Sequence, residues 1–294
     1  MATLSDIKRR ITSIQSTQKI TSAMKMVSAA KLRRAQDAIE SARPYAARMR
    51  ATLQEVGSAE AGSSHPLFEE RESVSTVELV AISSDRGLAG AFNSQIVKEA
   101  ERLVAEWKAA GIETRFTVVG KKAAEYFRRH RPSQISDDRP VGPKVNYLEA
   151  QQIAQRLMSD FENGEVDQVV LLHNEFISAI AQTPKIVPLL PFVSEKVEAE
   201  VEAELDLDAA PYEIEPSSET LLASLVPKAV EVEVFRALLE NQAGEHAARM
   251  SAMENATKNT EELIERLTLE YNRARQAAIT SELVEIITGA QALE

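Results

Sequence analysis

The sequence predicts an α/β head, with a mainly parallel, Rossmann-like sheet, attached to a long antiparallel left-handed coiled coil that the N- and C-terminal helices form. Three observations lead to this fold class. A heptad pattern runs through residues 217–294, a second helical pattern runs through residues 1–56, and strands alternate with helices between 73 and 194. Alternation of this kind is typical of βαβ units and parallel pairing.

The C-terminal segment reads as one helix that needs a partner. Its apolar and small residues recur at alternating steps of three and four, a seam whose seven-residue period implies a left-handed supercoil. No Pro or Gly interrupts the run between Gly244 and Gly289. At 1.5 Å per residue the helix from about Ser218 would be roughly 100 Å long, too long for a compact core. The seam consists of Ala243, His246, Met250, Met253, Thr257, Thr260, Ile264, Leu267, Tyr271, Ala274 and Ala278.

The N-terminal segment supplies the second strand of the coiled coil. Apolar residues keep helical spacing from Leu4 to Val56, and Ser5 is a candidate N-cap. Pro44 is expected to bend the helix or end it locally, because proline removes one backbone hydrogen bond. A flexible loop is expected at 57–66, where Gly and Ser cluster before Pro66.

The head is expected to contain three inner strands, one edge strand and three helices. The edge strand contains Pro184 and Pro188, which an interior strand does not tolerate. A Pro-rich connection joins the second helix to the third, and an acidic connecting segment, a loop or an edge hairpin, occupies 195–216. The inner strands are expected at 77–83, 113–120 and 168–176, the edge strand at 183–190, and the helices at 91–110, 121–129 and 147–163.

Composition removes several classes of function. The absence of cysteine excludes disulfides and thiolate metal sites, and the four scattered histidines match no metal-ligand spacing. No stretch approaches the roughly 20 apolar residues that span a bilayer, so a role at a membrane would require other subunits. No Ser, His and Asp arrangement indicates nucleophilic catalysis.

One turn in the head resembles a phosphate-binding loop. Residues 83–90 (SSDRGLAG) follow the first strand and precede a helix, which is where such a loop belongs. The glycines are too few for a dinucleotide fingerprint, however, and no Gly-Lys-Ser/Thr is present. A tight turn that Gly87 and Gly90 permit is the preferred interpretation, with Asp85 and Arg86 at the head surface.

Charge is distributed unevenly along the chain. Residues 1–50 hold eleven Lys and Arg against three acids, whereas residues 195–220 hold ten acids against one lysine. Tyr45 is the only aromatic residue of the basic helix and the chain as a whole is acidic, which disfavours nucleic acid and favours an acidic protein partner. Two other classes stay open: a coiled-coil scaffold or tether, and a small α/β nucleotide-binding enzyme with helical arms.

Three separated segments carry a resemblance to a known family. They are IQSTQKIT with AMKMVSAAK at 14–31, SDRGLAG with Phe92 and Asn93 at 84–93, and AARM, AMENAT, YNRARQ and ITSE between 247 and 282. In this order they resemble the gamma subunit of the F-type rotary ATP synthase, over nearly the whole chain. The lack of an Arg/Ser-rich leader before the first helix favours a bacterial over an organellar origin.

The resemblance implies a non-catalytic rotor shaft, which couples rotation of the c-ring to ATP synthesis or hydrolysis in a ring of alpha and beta subunits. It implies no cofactor or metal on this chain, because the partner subunits bind ATP, ADP and Mg. The implied partners are the alpha and beta subunits, epsilon, the c-ring and an inhibitory regulator, with no nucleic acid. The implied location is the cytoplasmic face of the bacterial inner membrane, with association through other subunits.

Four sets of contact residues follow from the same resemblance. Facing the lever segments of beta are Met24, Lys25, Arg33 and Arg34. Engaging the catch loops of alpha and beta are Arg275, Gln276 and Thr280. Turning in an apolar sleeve at the tip are Leu283, Ile286 and Ile287. Touching the c-ring at the foot are Tyr212, Glu213 and Glu215.

Overall fold

The computed structural model describes residues 3–59, 65–192 and 218–291. The chain forms two compact units. Met1–Ala29 with Arg249–Glu294 make the shaft unit, and Ala30–Ala248 make the head unit. The division falls inside both long helices, whereas the sequence-based boundaries lie at the ends of those helices.

Helix α1 spans Leu4–Ala59 without interruption. It continues through Pro44, which is solvent-exposed, and through the first three residues of the expected 57–66 loop. The predicted cap at Ser5 is wrong. Thr3 and Asp6 instead form a reciprocal capping box, in which the Asp6 N–H donates to Thr3 Oγ1 at 3.2 Å and the Thr3 N–H donates to Asp6 Oδ2 at 3.1 Å.

In the shaft unit, α1 pairs with the second long helix, α5 (Ser218–Gln291). The Thr21 and Thr257 hydroxyls lie 2.8 Å apart, and Lys25 Nζ donates to Glu254 Oε1 at 3.0 Å. Residue numbers rise along one helix as they fall along the other, which confirms the antiparallel pairing. Every predicted seam residue from Met250 to Ala278 is buried or partly buried.

The head unit contains a five-stranded sheet in the order β3-β2-β1-β4-β5. The first four strands are parallel, and β5 is antiparallel to β4. This arrangement confirms the mainly parallel α/β head. The strands are β1 (Thr76–Ile82), β2 (Glu113–Val119), β3 (Ile135–Arg139), β4 (Gln168–Phe176) and β5 (Gln182–Leu190).

Helices cover both faces of the sheet. Helices α2 (Phe92–Ala109) and α3 (Lys121–His130) cover one face, where Leu79 and Ala81 of β1 are buried. Helix α4 (Tyr147–Glu162) and the head-unit part of α5 cover the other, where Val80 and Ile82 are buried. Successive β1 side chains therefore enter opposite cores, as in a sheet that is buried on both faces.

The sequence-based prediction missed strand β3. The Pro-rich connection contains an edge strand, ISDDR, whose polar composition hides the strand pattern. Its acidic side chains are held by arginines: Arg128 pairs with Asp138 and Arg139 pairs with Asp137. The expected acidic connecting segment, 195–216, lies outside the described residues. Within the described part of the chain, no helix has both the length and the apolar character needed to cross a membrane.

Candidate functional site

The turn after β1 uses its polar groups to bind the chain itself. Asp85 Oδ1 accepts hydrogen bonds of 3.0 Å from the backbone N–H groups of Lys121 and Val141. Ser83 Oγ accepts from the Ala123 N–H at 3.1 Å. A helix N-terminus attracts anions through such N–H groups, and here the Asp85 carboxylate occupies that place at the start of α3. The geometry supports the tight-turn interpretation over a nucleotide loop.

The same turn is anchored to α2. The Ser84 N–H donates to Asn93 Oδ1 at 2.9 Å, and Ser84 Oγ donates to the Arg86 carbonyl at 2.8 Å. Gly90 adopts φ 58°, in the left-handed region where glycine costs least. Leu88 also has a positive φ and is 64% exposed, so the turn presents an apolar side chain to its surroundings.

Helix α5 lies against the carboxyl ends of β1 and β4. Asn241 Nδ2 donates to the Ser83 carbonyl at 3.0 Å, and His173 Nε2 lies 3.1 Å from Glu240 Oε2. A Cβ added to Gly244 would lie 3.1 Å from Phe92 Cε2, so a larger residue would require the Phe92 ring to shift by a few tenths of an ångström. We call Glu240, Asn241 and Gly244, with Ser83 and His173, the sheet–helix joint.

The electrostatics of the joint favour an ionised Glu240. Burial by itself would raise the Glu240 pKa. The hydrogen bond from His173 and the charges of Arg236 and Lys185 outweigh burial, and they hold the pKa below its ordinary value of 4.5. The joint therefore contains a carboxylate at neutral pH, and His173 is 1% exposed beside it.

A second buried carboxylate lies within the sheet. Glu78 of β1 is fully buried and accepts from Thr117 Oγ1 at 2.5 Å and from Arg156 Nη2 at 3.2 Å. Arg115 approaches it to 3.4 Å. Burial raises the pKa of neighbouring Asp160, although Arg156 partly offsets this effect. The guanidinium groups of Arg115 and Arg156 lie beside both carboxylates, so the cluster links β1, β2 and α4.

A third buried acid ties α4 to α5. Glu231 accepts from Tyr147 Oη at 2.6 Å and from Lys228 Nζ at 2.8 Å. Burial and the neighbouring carboxylate raise the Tyr147 pKa. Burial also opposes ionisation of Glu231, yet Lys228, Tyr147 and Gln151 lower its pKa overall. In the described residues, no three His, Asp or Glu side chains converge as metal ligands.

The sequence-predicted contact residues fall in three places. Met24 and Lys25 are partly buried in the shaft unit, and Lys25 pairs with Glu254 across the two helices. Arg33 and Arg34 are exposed on the head-unit part of α1. The foot residues Tyr212, Glu213 and Glu215 lie outside the described residues.

The C-terminal sets are all exposed on the shaft unit. Arg275 and Gln276 face away from the helix seam, and Thr280 Oγ1 donates to the Gln276 carbonyl at 2.9 Å. Beyond Ala278 every described side chain as far as Thr288 is exposed. The tip therefore presents large apolar side chains, namely Ile279, Leu283, Val284, Ile286 and Ile287.

Sequence reasoning missed the sheet–helix joint and the Glu78 cluster. A signal was present for each. Glu78 interrupts an apolar strand run, and Glu240, Asn241 and Gly244 place two polar residues and a glycine directly after the buried apolar run Ala237, Leu238 and Leu239.

Known proteins resemble the chain over nearly all of its length. Residues 3–293 match the ATP synthase family model described as "ATP synthase". The ATP synthase gamma chain of Syntrophus aciditrophicus is 44% identical over 293 residues, covering 100% of this chain and 99% of the relative. The ATP synthase gamma chain of Desulforamulus reducens is 46% identical over 297 residues, covering 100% of both.

Solved structures share the fold. A central stalk/c-ring structure of the Tetrahymena thermophila mitochondrial ATP synthase contains a chain with a TM-score of 0.61 and 29% identity, over 81% of this chain and 99% of that one. A Euglena gracilis mitochondrial ATP synthase chain has a TM-score of 0.67 over 99% of this chain and 94% of its own, at 22% identity. The bacterial relatives carry the name of one chain of a synthase, as the sequence motifs implied. This chain belongs to the ATP synthase gamma chain family.

Proposed function

We propose that this chain is the central rotor shaft of a bacterial F-type ATP synthase. In this role it couples proton-driven rotation of a c-ring to sequential conformational changes in an alpha–beta ring. The observation that carries the proposal is the 74-residue helix α5, whose last described turns extend past the paired seam and expose apolar side chains. A long helix pair with an unpaired apolar end is suited to insertion into another assembly.

The shaft must be asymmetric to do this work. A ligand that contacts all beta subunits equally would shift none of their conformational equilibria. Moving one beta subunit from 1:99 to 99:1 between two states requires about 5.5 kcal/mol of differential contact energy. Two different helices side by side present a different surface in each direction, and that difference supplies the required asymmetry.

The basic face of α1 is proposed to meet the acidic lever segments of beta. Arg33 and Arg34 are exposed and present guanidinium groups suited to carboxylates. Lys25 shares its charge with Glu254, and hydrogen bonding to Lys25 lowers the Glu254 pKa. We therefore assign the main electrostatic contact to the two arginines, with Met24 as an apolar contact and Lys25 as a charge that Glu254 partly neutralises.

The end of α5 is proposed to carry two further contacts. Arg275, Gln276 and Thr280 engage the catch loops of alpha and beta, where a charge-assisted hydrogen bond contributes about 1.5–3 kcal/mol. Leu283, Ile286 and Ile287 turn in an apolar sleeve, because side chains without fixed polar bonds permit rotation. The foot residues Tyr212, Glu213 and Glu215 are proposed to touch the c-ring.

The remaining partners follow from the same role. The head is proposed to bind epsilon, the c-ring and, in some states, an inhibitory regulator. The chain is proposed to be peripheral to the cytoplasmic face of the bacterial inner membrane and to be held there by those subunits. Catalysis and nucleotide binding are assigned to the partner subunits.

Removal of residues 279–294 tests this role. The cut lies after Ala278, the last seam residue, so the unfolding midpoint of the isolated chain should stay the same. In the reconstituted synthase, the ratio of ATP-driven proton pumping to ATP hydrolysis should fall about tenfold, as expected for losing about 1.4 kcal/mol of apolar contact energy at the tip while Arg275 and Gln276 stay in place.

Ile180→Ala is the matched control. Ile180 is a large apolar side chain on the head that is 89% exposed, and it lies outside the α1 and α5 contacts proposed for the alpha–beta ring. Its coupling ratio should equal that of the unmodified chain. Full proton pumping by the truncated chain would contradict the proposal. So would a full-length chain that, when mixed with alpha and beta subunits, forms only a stable homodimer.

A further inference from the structure

The sheet–helix joint lies at the point where an open α/β sheet ordinarily binds its ligand. Strands β2 and β3 are added on one side of β1, and β4 is added on the other. The strand order reverses between β1 and β4, and ligands of such sheets bind outside the carboxyl ends of the strands at that reversal. Here Ser83 follows β1, and its carbonyl accepts a hydrogen bond from Asn241 of α5.

The helix fills this crevice closely. Gly244 lies so near Phe92, Gln182 and Asn174 that an added Cβ would meet all three within 4 Å. Asn174 is itself buried and donates from Nδ2 to the Phe92 carbonyl at 3.3 Å. The crevice is therefore occupied by α5 of the same chain.

Two polar contacts orient α5 at the sheet, in addition to the contact of Glu231 with α4 further along the same helix. Asn241 is 1% exposed, and its bond to Ser83 sets the height of the helix along the sheet. His173 of β4 contacts Glu240, the residue directly before Asn241 on α5. This second contact sets the rotation of the helix about its axis. Apolar packing is non-directional, whereas hydrogen bonds depend strongly on distance and angle.

We propose that the sheet–helix joint is the place where torque passes between the head and α5. The inference rests on the proposed rotor function and names the positioning residues for it: Asn241, Glu240 and Gly244 on the helix, with His173 and Ser83 on the sheet. The crevice that binds a ligand in other open α/β sheets here holds α5 of the same chain. Glu231 attaches α5 to α4, whereas the joint attaches α5 to the sheet itself.

The test compares two buried substitutions in the reconstituted synthase. Asn241→Leu removes the donor to Ser83 at similar volume. Thr117→Val removes a buried hydroxyl that serves Glu78 and Arg156 within the head, away from α5. Both should lower the unfolding midpoint of the full chain. Only Asn241→Leu should lower the ratio of proton pumping to ATP hydrolysis severalfold when a proton gradient opposes pumping, with unloaded hydrolysis unchanged.

A second pair covers the case in which Asn241→Leu does not assemble. His173→Leu should cause the same loss of coupling under load, and His173→Gln, which keeps a nitrogen donor toward Glu240, should restore most of it. Equal coupling in the Asn241→Leu and Thr117→Val enzymes, or equal coupling in the two His173 variants, would overturn the proposal.

The outcome separates this inference from the rotor function. If the chain is a rotor but the joint carries no torque, deletion of 279–294 uncouples the enzyme and the joint variants do not. If the chain is no rotor, neither change alters coupling.

Discussion

Gly120→Ala should lower the free energy of unfolding by about 3–5 kcal/mol, the sum of a strained backbone and an overpacked contact. Gly120 links β2 to α3 with φ 102°, a conformation that side chains rarely adopt. An added Cβ would lie 2.6 Å from Ser83 Oγ and 2.7 Å from the Ser83 carbonyl carbon and oxygen. Backbone atoms cannot move aside as the end of a flexible side chain can, so the turn after β1 would have to shift.

Two other glycines provide the control for this prediction. Gly111 and Gly164 have positive φ angles of 76° and 72°, but an added Cβ meets nothing within 4 Å at either position. Alanine there should cost only the backbone strain, about 1 kcal/mol. Urea unfolding of the full-length variants measures all three. Equal losses at the three positions would show that Ser83 does not limit the space beside Gly120.

Arg156→Met should cost about 3 kcal/mol of unfolding free energy, because removing one partner leaves a buried charge uncompensated. Arg156 contacts Glu78 at 3.2 Å and Asp160 at 3.0 Å, and Glu78 is fully buried. Arg115 stays near Glu78, which keeps the cost at the lower end of the usual range. Chemical unfolding of the full chain at neutral pH gives the value.

A double-mutant cycle separates the charge effect from lost packing. Glu78→Gln together with Arg156→Met should recover part of the loss, since no unpaired charge then stays buried. Arg102→Met gives the surface comparison, because Arg102 pairs with Glu99 and Glu106 on the exposed side of α2. Its effect should be far smaller. Strictly additive losses in the cycle would contradict the proposed coupling of Glu78 and Arg156.

Much of the fold follows from periodicity alone. The seam from Met250 to Ala278 shows a clear heptad pattern, because one face of the helix is buried along its length. Strands β1, β2 and β4 show continuous apolar runs, because both of their faces are buried. Strand β3 does not, because an edge strand can hold ISDDR when arginines from nearby segments pair with its acids. Pro44 likewise did not end α1, because tertiary packing can override a local helix breaker.

The candidate contacts were only partly visible in the sequence. The exposed tip follows from the seam, which ends where α1 begins. The pairing of Lys25 with Glu254, 229 residues apart, depends on the register of two helices that no local pattern sets. The joint depends on topology. Asn241 and Gly244 contact the sheet only because the fold places α5 over the end of β1.

Direct observation of rotation tests the central claim. The chain has no cysteine, so Lys108→Cys, at an exposed position near the end of α2, would provide a single attachment point for an optical probe. With the alpha–beta ring fixed to a surface, the rotor function predicts unidirectional turning of the probe that begins when ATP is added and stops when it is exhausted. ATP hydrolysis by the same immobilised complexes with a stationary probe would contradict it.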